Sequence, residues 1–537
     1  MNALDLLEDS QIVTENREAS PPIIELTHER FRSVLCDHTE LSLEATHAKL
    51  GETLERQQRY EIESVAGTLA HHFSMAKIPT KAFFYQLTSG RRLVKNSLYK
   101  RGVASLNRAL SLEPEARSLM PLADVDRLTI KLQLSRAEAL SAIGEMHDSE
   151  AAAHTALDLA ERLQDIPLLS ECHALIGHQY QIKRELERAE NHLNKALMLA
   201  NKIGHDKLRV MPTYRLGAIK WSQGEIEAPK KLWGESLSLA RKIGDERAVG
   251  YGVNGLGLIA ICEGRALEAR RYIEQSTEIF ERLGMLGPLS TTRVNLVELN
   301  MSIGILKKAL NIADMTVSTA REVGHISGAG IGLAYRSDVL LAIGRLTEAQ
   351  SNCTEAISIA ESVSNREDFV KATVLSLEIN LTMGAPEAAK ATYLAHQTEI
   401  SSYKGEGLDD RALVYYAHSL ALTGEKTLAH SILNDTRKTA PSWPHVQIRN
   451  QIARGKARLA LEQPELAVAN FQYALKEATT CQFRYWQLVS HHYLYTCVTE
   501  PTIKKKHRHV LNALVRSLAA GLSKDTSAQF LERWDKH

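Results

Sequence analysis

Three carboxylates recur at a spacing of 40 residues, Glu298, Asp338 and Glu378, and the same column runs on into His418 and Arg458. Upstream it reads His178, Ala218 and Leu258. Side chains of these types, held in one line, suit recognition rather than bond breaking: an acidic middle attracts a basic segment and repels an acidic one. Tyr214, Trp221 and Asn254 complete the candidate groove set; Trp221, three residues before a glycine, offers the largest contact area. On this reading, replacing Glu298, Asp338 and Glu378 by Ala weakens binding of a basic peptide without lowering the melting point.

Bond-making chemistry finds no support. There is no G-x-S-x-G, no H-E-x-x-H, no G-x-x-x-x-G-K-[ST] and no kinase signature set. His71 and His72 are adjacent, so on a helix they diverge by about 100° and chelate one metal poorly; one packed and one solvated histidine is the plainer expectation. Lys504, Lys505, Lys506, His507, Arg508 and His509 could hold phosphate, but read first as a solvated stretch between helices. No catalytic, cofactor or metal residue is assigned, and the chain is not expected to be an enzyme.

The elements that would position the column are legible from the same period. Stepping by 40 gives Gly144, Arg184, Gly224, Gly264, Gly304, Gly344, Gly384, Gly424 and Pro464, with no slippage in the count. Glycine there supplies a turn with φ > 0 between two helices. Seven residues earlier the column is mostly small: Ala137, Gly177, Gly217, Gly257, Val297, Ser337, Leu377, Ala417 and Ala457. Five residues later it is nearly all Ala, from Ala189 to Ala469. Small residues on both sides of the turn let two antiparallel helices cross closely. Ala189, Leu193, Ala196, Leu197 and Ala200 form one apolar helical face, stopped by a second glycine column, Gly204, Gly244, Gly284 and Gly324. Each unit is thus a helix, a tight turn and a second helix, which buries its apolar face only by stacking on its neighbours. If the small column marks where the two helices meet, the next residue along faces a concave groove, and that is the column of Glu298, Asp338 and Glu378.

Bulk properties agree. A single core of 537 residues would be unusual, so an open-ended array fits better. Aromatics are 6%, too few for a typical β-sandwich. With 65 basic and 64 acidic residues, a nucleic-acid surface is not expected beyond a local patch. The six cysteines form no C-x-x-C pair, which suits a reducing compartment. Met1 to Glu8 lacks a basic stretch followed by an apolar run, and no apolar run near ~18 residues is evident. A cytoplasmic, membrane-free protein is expected.

The small–Gly–Ala pattern resembles tetratricopeptide repeats with helices longer than those of the common 34-residue unit. A 40-residue helix pair also fits HEAT or armadillo repeats, which the glycine turn and the small-residue columns make the weaker reading. A second resemblance covers the ends. Leu69-Ala70-His71-His72-Phe73, Lys81-Ala82, Tyr85, Gly90, Tyr99 and Leu106-Asn107-Arg108-Ala109-Leu110 resemble the segment after the ATPase core in large multi-domain signal-transduction ATPases linked to cyclases or transcription (maltose-activator-like). Leu26 to Arg32 resemble the end of their winged helix, and Leu522-Ser523-Lys524 with Phe530-Leu531 their closing helix. Ala76-Lys77-Ile78 departs from the usual Ala-Gly-Asp, and the phosphate-binding loop is missing.

The expectation is therefore an all-α solenoid. Its parts would be a winged-helix remnant and linker helix at 1–60, atypical helical repeats at 61–123, 40-residue repeats at 124–499 and capping helices at 500–537. The resemblance implies a non-catalytic sensor or interaction module holding a protein, peptide or inducer, with an ATPase or regulator as one candidate partner. A free-standing scaffold, or the repeat half of a split ATPase, stays open.

Overall fold

The computed structural model describes residues 10, 13–16, 23–26, 42–403, 407–435 and 443–534. Among them are 26 helices and one two-stranded antiparallel sheet, Val13–Asn16 with Ile23–Leu26, in the register Val13 to Leu26. The other winged-helix positions expected before residue 42 lie outside the described residues. The chain divides into two compact units. One comprises the described residues up to Arg92 with Ala104–Leu132; the other comprises Leu93–Val103 and everything from Gln133.

The first unit closes around Ala66, Leu69, Ala70, Phe73, Ala82 and Tyr85. Glu55 holds two of its helices together, accepting hydrogen bonds from Lys81 Nζ at 2.7 Å and from the Tyr85 hydroxyl.

The second unit is a solenoid of helix hairpins. Its first helices include Ile166–Ile182, Asp206–Ser222, Glu246–Cys262, Leu286–Ser302, Ile326–Ile343 and Arg366–Thr382; their partners include Leu186–Lys202, Glu227–Ile243, Ala266–Arg282, Leu306–Glu322 and Leu346–Ser362. The two kinds differ in a way the sequence dictates. Second helices carry one apolar stripe (Ala189, Leu193, Ala196 and Ala200 are buried in one) and turn the other face to solvent. First helices such as Leu286–Ser302, Ile326–Ile343 and Arg366–Thr382 are buried on nearly all sides and touch the first helices of neighbouring repeats, so they form the inner layer. Ile326–Ile343 is long and apolar enough to span a membrane by length and composition, which corrects the expectation of no such run. Most of it is buried within the solenoid, and it carries Arg336 and Asp338.

The turns are left-handed at Gly144, Gly224, Gly264, Gly304, Gly344, Gly384 and Gly424, with φ from 74° to 103°. The residue after each glycine donates back five residues into the helix, as Arg265 N does to Ala260 O at 2.8 Å, satisfying carbonyls the helix end leaves free. Arg184 takes the same conformation without glycine, at φ 63°.

Register does slip, by two residues, near the end. The short second helix Lys426–Asp435 is followed by a first helix, Pro444–Ala460, that starts two residues early for the period. The left-handed turn residue becomes Glu462, φ 59°, and Pro464 opens the next helix. The small contact position becomes Gly455, where a Cβ would sit 2.4 Å from the Phe471 ring, rather than Ala457.

Within this unit the chain also closes on itself. Residues roughly five and a half repeats apart meet: Trp221 stacks on Trp443 at 5.2 Å, a Cβ at Gly264 would lie 2.5 Å from Cys481 Sγ, and one at Gly304 would lie 3.2 Å from Leu518. Successive superhelical turns therefore touch along the hairpin turns. Gly424 has the same kind of φ, 93°, with open space around it. Gly424→Ala is expected to cost about 1–2 kcal/mol, the left-handed penalty alone. Gly264→Ala adds a clash with the next superhelical turn, for about 2–4 kcal/mol in all. Urea melts of the two variants check the difference; equal losses would remove the inter-turn contact.

The run Lys504–His509 lies inside the helix Pro501–Ala519 rather than between helices. Pro501 at its first position and Glu500, whose carboxylate accepts from Thr502 N and Ile503 N, explain why a helix starts there.

Candidate functional site

The inner column is half-buried at His178, Glu298, Asp338, Glu378 and His418. The structure fills its acidic middle from within the chain. Arg449, on Pro444–Ala460, reaches Asp338 through Nη1 at 2.7 Å and Nη2 at 3.1 Å, and Glu378 through Nη2 at 3.4 Å. The 111 residues between Arg449 and Asp338 are about half a superhelical turn, so the guanidinium spans the inside of the solenoid. Lys456 Nζ adds a contact to Glu378 at 3.7 Å. Burial opposes ionisation of Glu378, yet Lys456 and Arg449 outweigh it and hold its pKa at about 2.

This changes two expectations. Removing Glu298, Asp338 and Glu378 together would strand Arg449 without its carboxylates, so the triple change lowers the melting point instead of sparing it. Arg458 leaves the column: the two-residue slip puts Lys456 there, while Arg458 turns to the following helix, donating to Asn470 Oδ1 at 2.8 Å.

Trp221 is also spent internally. It stacks on Trp443, with its Nε1 3.4 Å from Cys262 Sγ, and so seals a seam between superhelical turns rather than offering a free face. Tyr214 stacks on Trp233 at 5.9 Å and leans on Tyr251 at 5.3 Å; burial raises its pKa to about 12. Asn254 is buried and accepts from Asn295 Nδ2 at 3.1 Å. His71 and His72 are joined by His47, whose Nδ1 lies 2.9 Å from that of His72. No group of three or more His, Cys, Asp or Glu among the described residues could hold a metal ion.

Beside the Arg449 clamp lies an open hollow walled by helices 286–302, 326–343, 366–382, 408–422 and 444–460. Its lining includes Glu298, Asp338 and Glu378 of the expected set, and Lys371, Arg411, His445 and Arg449 outside it. Lys371 and Arg411 carried a readable signal: they too stand 40 apart, two helical turns before Glu378 and His418.

Several histidines are held neutral. Burial, with neighbouring cations or histidines, takes His192 and His491 down to about 4 and His418 to about 3. His192 and His491 each face a second imidazole, His173 at 3.1 Å and His507 at 2.8 Å between Nδ1 atoms. The unfolded chain takes up protons near pH 6.5 that the folded chain refuses until about pH 4. Stability is therefore full above pH 6.5 and declines as pH falls towards 4, by about 1–2 kcal/mol per histidine at pH 5 after solvent screening. Denaturant melts at pH 7.5 and 5.0 check this, and His418→Gln should flatten the decline.

These features define an α-solenoid of tetratricopeptide-like hairpins with a polar, partly hollow inner face. No family model matches the chain, and no curated protein matches it. Solved structures similar to it include a signal-transduction ATPase with a tetratricopeptide-repeat sensor from Pyrococcus horikoshii (16% identity, TM-score 0.39, 77% of this chain and 60% of that one). A Rap protein complexed with competence and sporulation factor gives 12%, 0.45, 73% and 99%, and the apo quorum sensor NprR from B. thuringiensis 11%, 0.42, 65% and 98%. The chain thus spans 60% of the length of the Pyrococcus protein. At these identities and superpositions the likenesses carry no argument about function; the class stands on the chain's own hairpins.

Proposed function

We propose that the solenoid is a non-catalytic interaction and sensor module of a signal-transduction or transcription-regulating system, taking a peptide, protein or inducer on its inner face. The observation that carries this reading is the inner face itself. Packing alone calls for apolar or small residues there, yet it holds charged side chains, Glu298, Asp338, Glu378, Lys371, Arg411 and Arg449, around an open hollow. A ligand that favours one spacing of the repeats shifts the superhelix by its differential affinity for the two states.

The test presents the whole chain with a displayed library of random peptides and measures the selected binders against Ala218→Arg and His178→Ala, both on the inner column. Affinity should fall at least about tenfold, ~1.4 kcal/mol. Binders indifferent to both changes would place recognition elsewhere and defeat the reading.

A further inference from the structure

Two charged groups at the hollow are opposed by charges nearby but leave polar atoms with no direct contact in the protein. Glu298 accepts no hydrogen bond and forms no ion pair among the described residues, although it is half-buried and its own helix is otherwise closely packed. Arg411 is 7% exposed; its Nε donates to Asn450 Oδ1 at 2.8 Å, while Nη1 and Nη2 have no hydrogen-bond partner among the described residues. Both side chains line the same hollow. An unpaired charge at a half-closed site costs stability, so a site that keeps two of opposite sign is suited to a ligand that brings both complements.

The groups between them are already satisfied. Arg449 and Lys456 together balance Asp338 and Glu378, so that cluster offers neither charge to a ligand. The remaining wall sets the apolar Val374, Leu375, Leu408 and Val446 beside Tyr335, His445 and Lys371, whose Nζ already donates to Glu367 at 3.0 Å. The complementary molecule is therefore small, carries one ammonium and one carboxylate, and has an apolar body.

We propose that the hollow binds a free α-amino acid with an apolar side chain, its ammonium on Glu298, its carboxylate on the Nη atoms of Arg411 and its side chain against Val374, Leu375, Leu408 and Val446. This rests on the reading of the inner face as a binding surface and names one ligand class for it. A charge-assisted pair at each end fixes orientation, and the apolar wall selects among amino acids. Because the ligand sits against helices from repeats half a superhelical turn apart, its binding ties the same walls that Arg449 ties.

The experiment is calorimetric titration and thermal melting of the full chain with each of the twenty amino acids, at about 10 mM so that dissociation constants near ~1 mM register. At least one of Leu, Ile, Val, Met or Phe should bind and raise the melting temperature, while Asp, Glu and Lys should not. The N-acetyl and C-terminal amide derivatives of the best binder, each lacking one charge, should fail. Glu298→Gln should weaken binding at least about tenfold. That variant should melt, without ligand, at or above the wild-type temperature, because burial pushes the Glu298 carboxyl up against the pull of Arg449, Lys371 and Arg411, and the charge it removes makes no direct ion pair. A misfolded variant is thereby told apart from a lost contact. No binding by any amino acid, binding that survives N-acetylation, or binding unchanged in Glu298→Gln would overturn the proposal. So would a tripeptide that binds where its free residues do not, since the source would then be a peptide terminus. Peptide binders that depend on Ala218 and His178 while no amino acid binds would sink this inference and leave the groove reading standing.

Discussion

Arg449→Met is expected to lower stability by about 3–5 kcal/mol, the scale for removing one member of a buried ionic cluster. The loss comes less from the bonds themselves than from what remains. Asp338 keeps a half-buried carboxylate whose partner came from half a superhelical turn away, and Glu378 keeps only Lys456 at 3.7 Å and a hydrogen bond from Tyr415. The guanidinium also lies over the Trp486 ring, 5.2 Å from its centroid, so tryptophan fluorescence during urea unfolding reads the change where it occurs. The double variant Arg449→Met with Asp338→Asn should recover a substantial part of the loss, because it removes the stranded charge. If the double variant is as unstable as the sum of the singles, the clamp is not an ionic cluster. Acid adds a second check. The carboxylate of Glu378, with its pKa held at about 2, contributes stability above the ordinary Glu range near pH 4.5, and that contribution is lost as pH falls towards 2.

Trp443→Ala should cost a similar amount, about 3–5 kcal/mol, by emptying a large buried site. Trp443 is 1% exposed, stacked on Trp221 at 16° between planes and on His445 at 5.8 Å. It differs from an ordinary core aromatic in what it joins: Trp221 lies 222 positions earlier in sequence, so the pair ties two successive superhelical turns. The variant should expose Trp221, with a red-shifted emission, and should speed proteolysis. Loss of stability with Trp221 emission unchanged would mean the seam does not depend on this pair.

These residues also mark the limit of what the sequence discloses. Each hairpin is written locally: a glycine where φ must be positive, a small residue where helices cross, an apolar stripe on the second helix. Such signals repeat every 40 residues and survive in Gly144 to Gly424. The superhelical pitch is not local. It accumulates from a small rotation per repeat, so nothing near Asp338 announces that its partner is Arg449, 111 residues on. The column of Glu298, Asp338 and Glu378 could be placed on the inner face, but not its occupant. Trp221 was conspicuous, but its stacking partner follows from the same pitch. Arg458 leaves the column for a different reason: between the left-handed turns at Gly424 and Glu462 the period is two residues short, which brings Lys456 and Gly455 into register. Lys371 and Arg411 could have been found, since their 40-residue spacing lies on the helix face of the carboxylates.

The most direct test is hydrogen exchange of the whole chain, alone and saturated with a peptide chosen by display. If the inner face is the recognition surface, added protection concentrates in the first helices, Ile166–Ile182 and Asp206–Ser222 through Leu286–Ser302, Ile326–Ile343 and Arg366–Thr382, and in Pro444–Ala460 across from them. The outer helices Leu306–Glu322 and Leu346–Ser362 should change little. Protection confined to the outer helices, or none despite tight binding, would contradict the account.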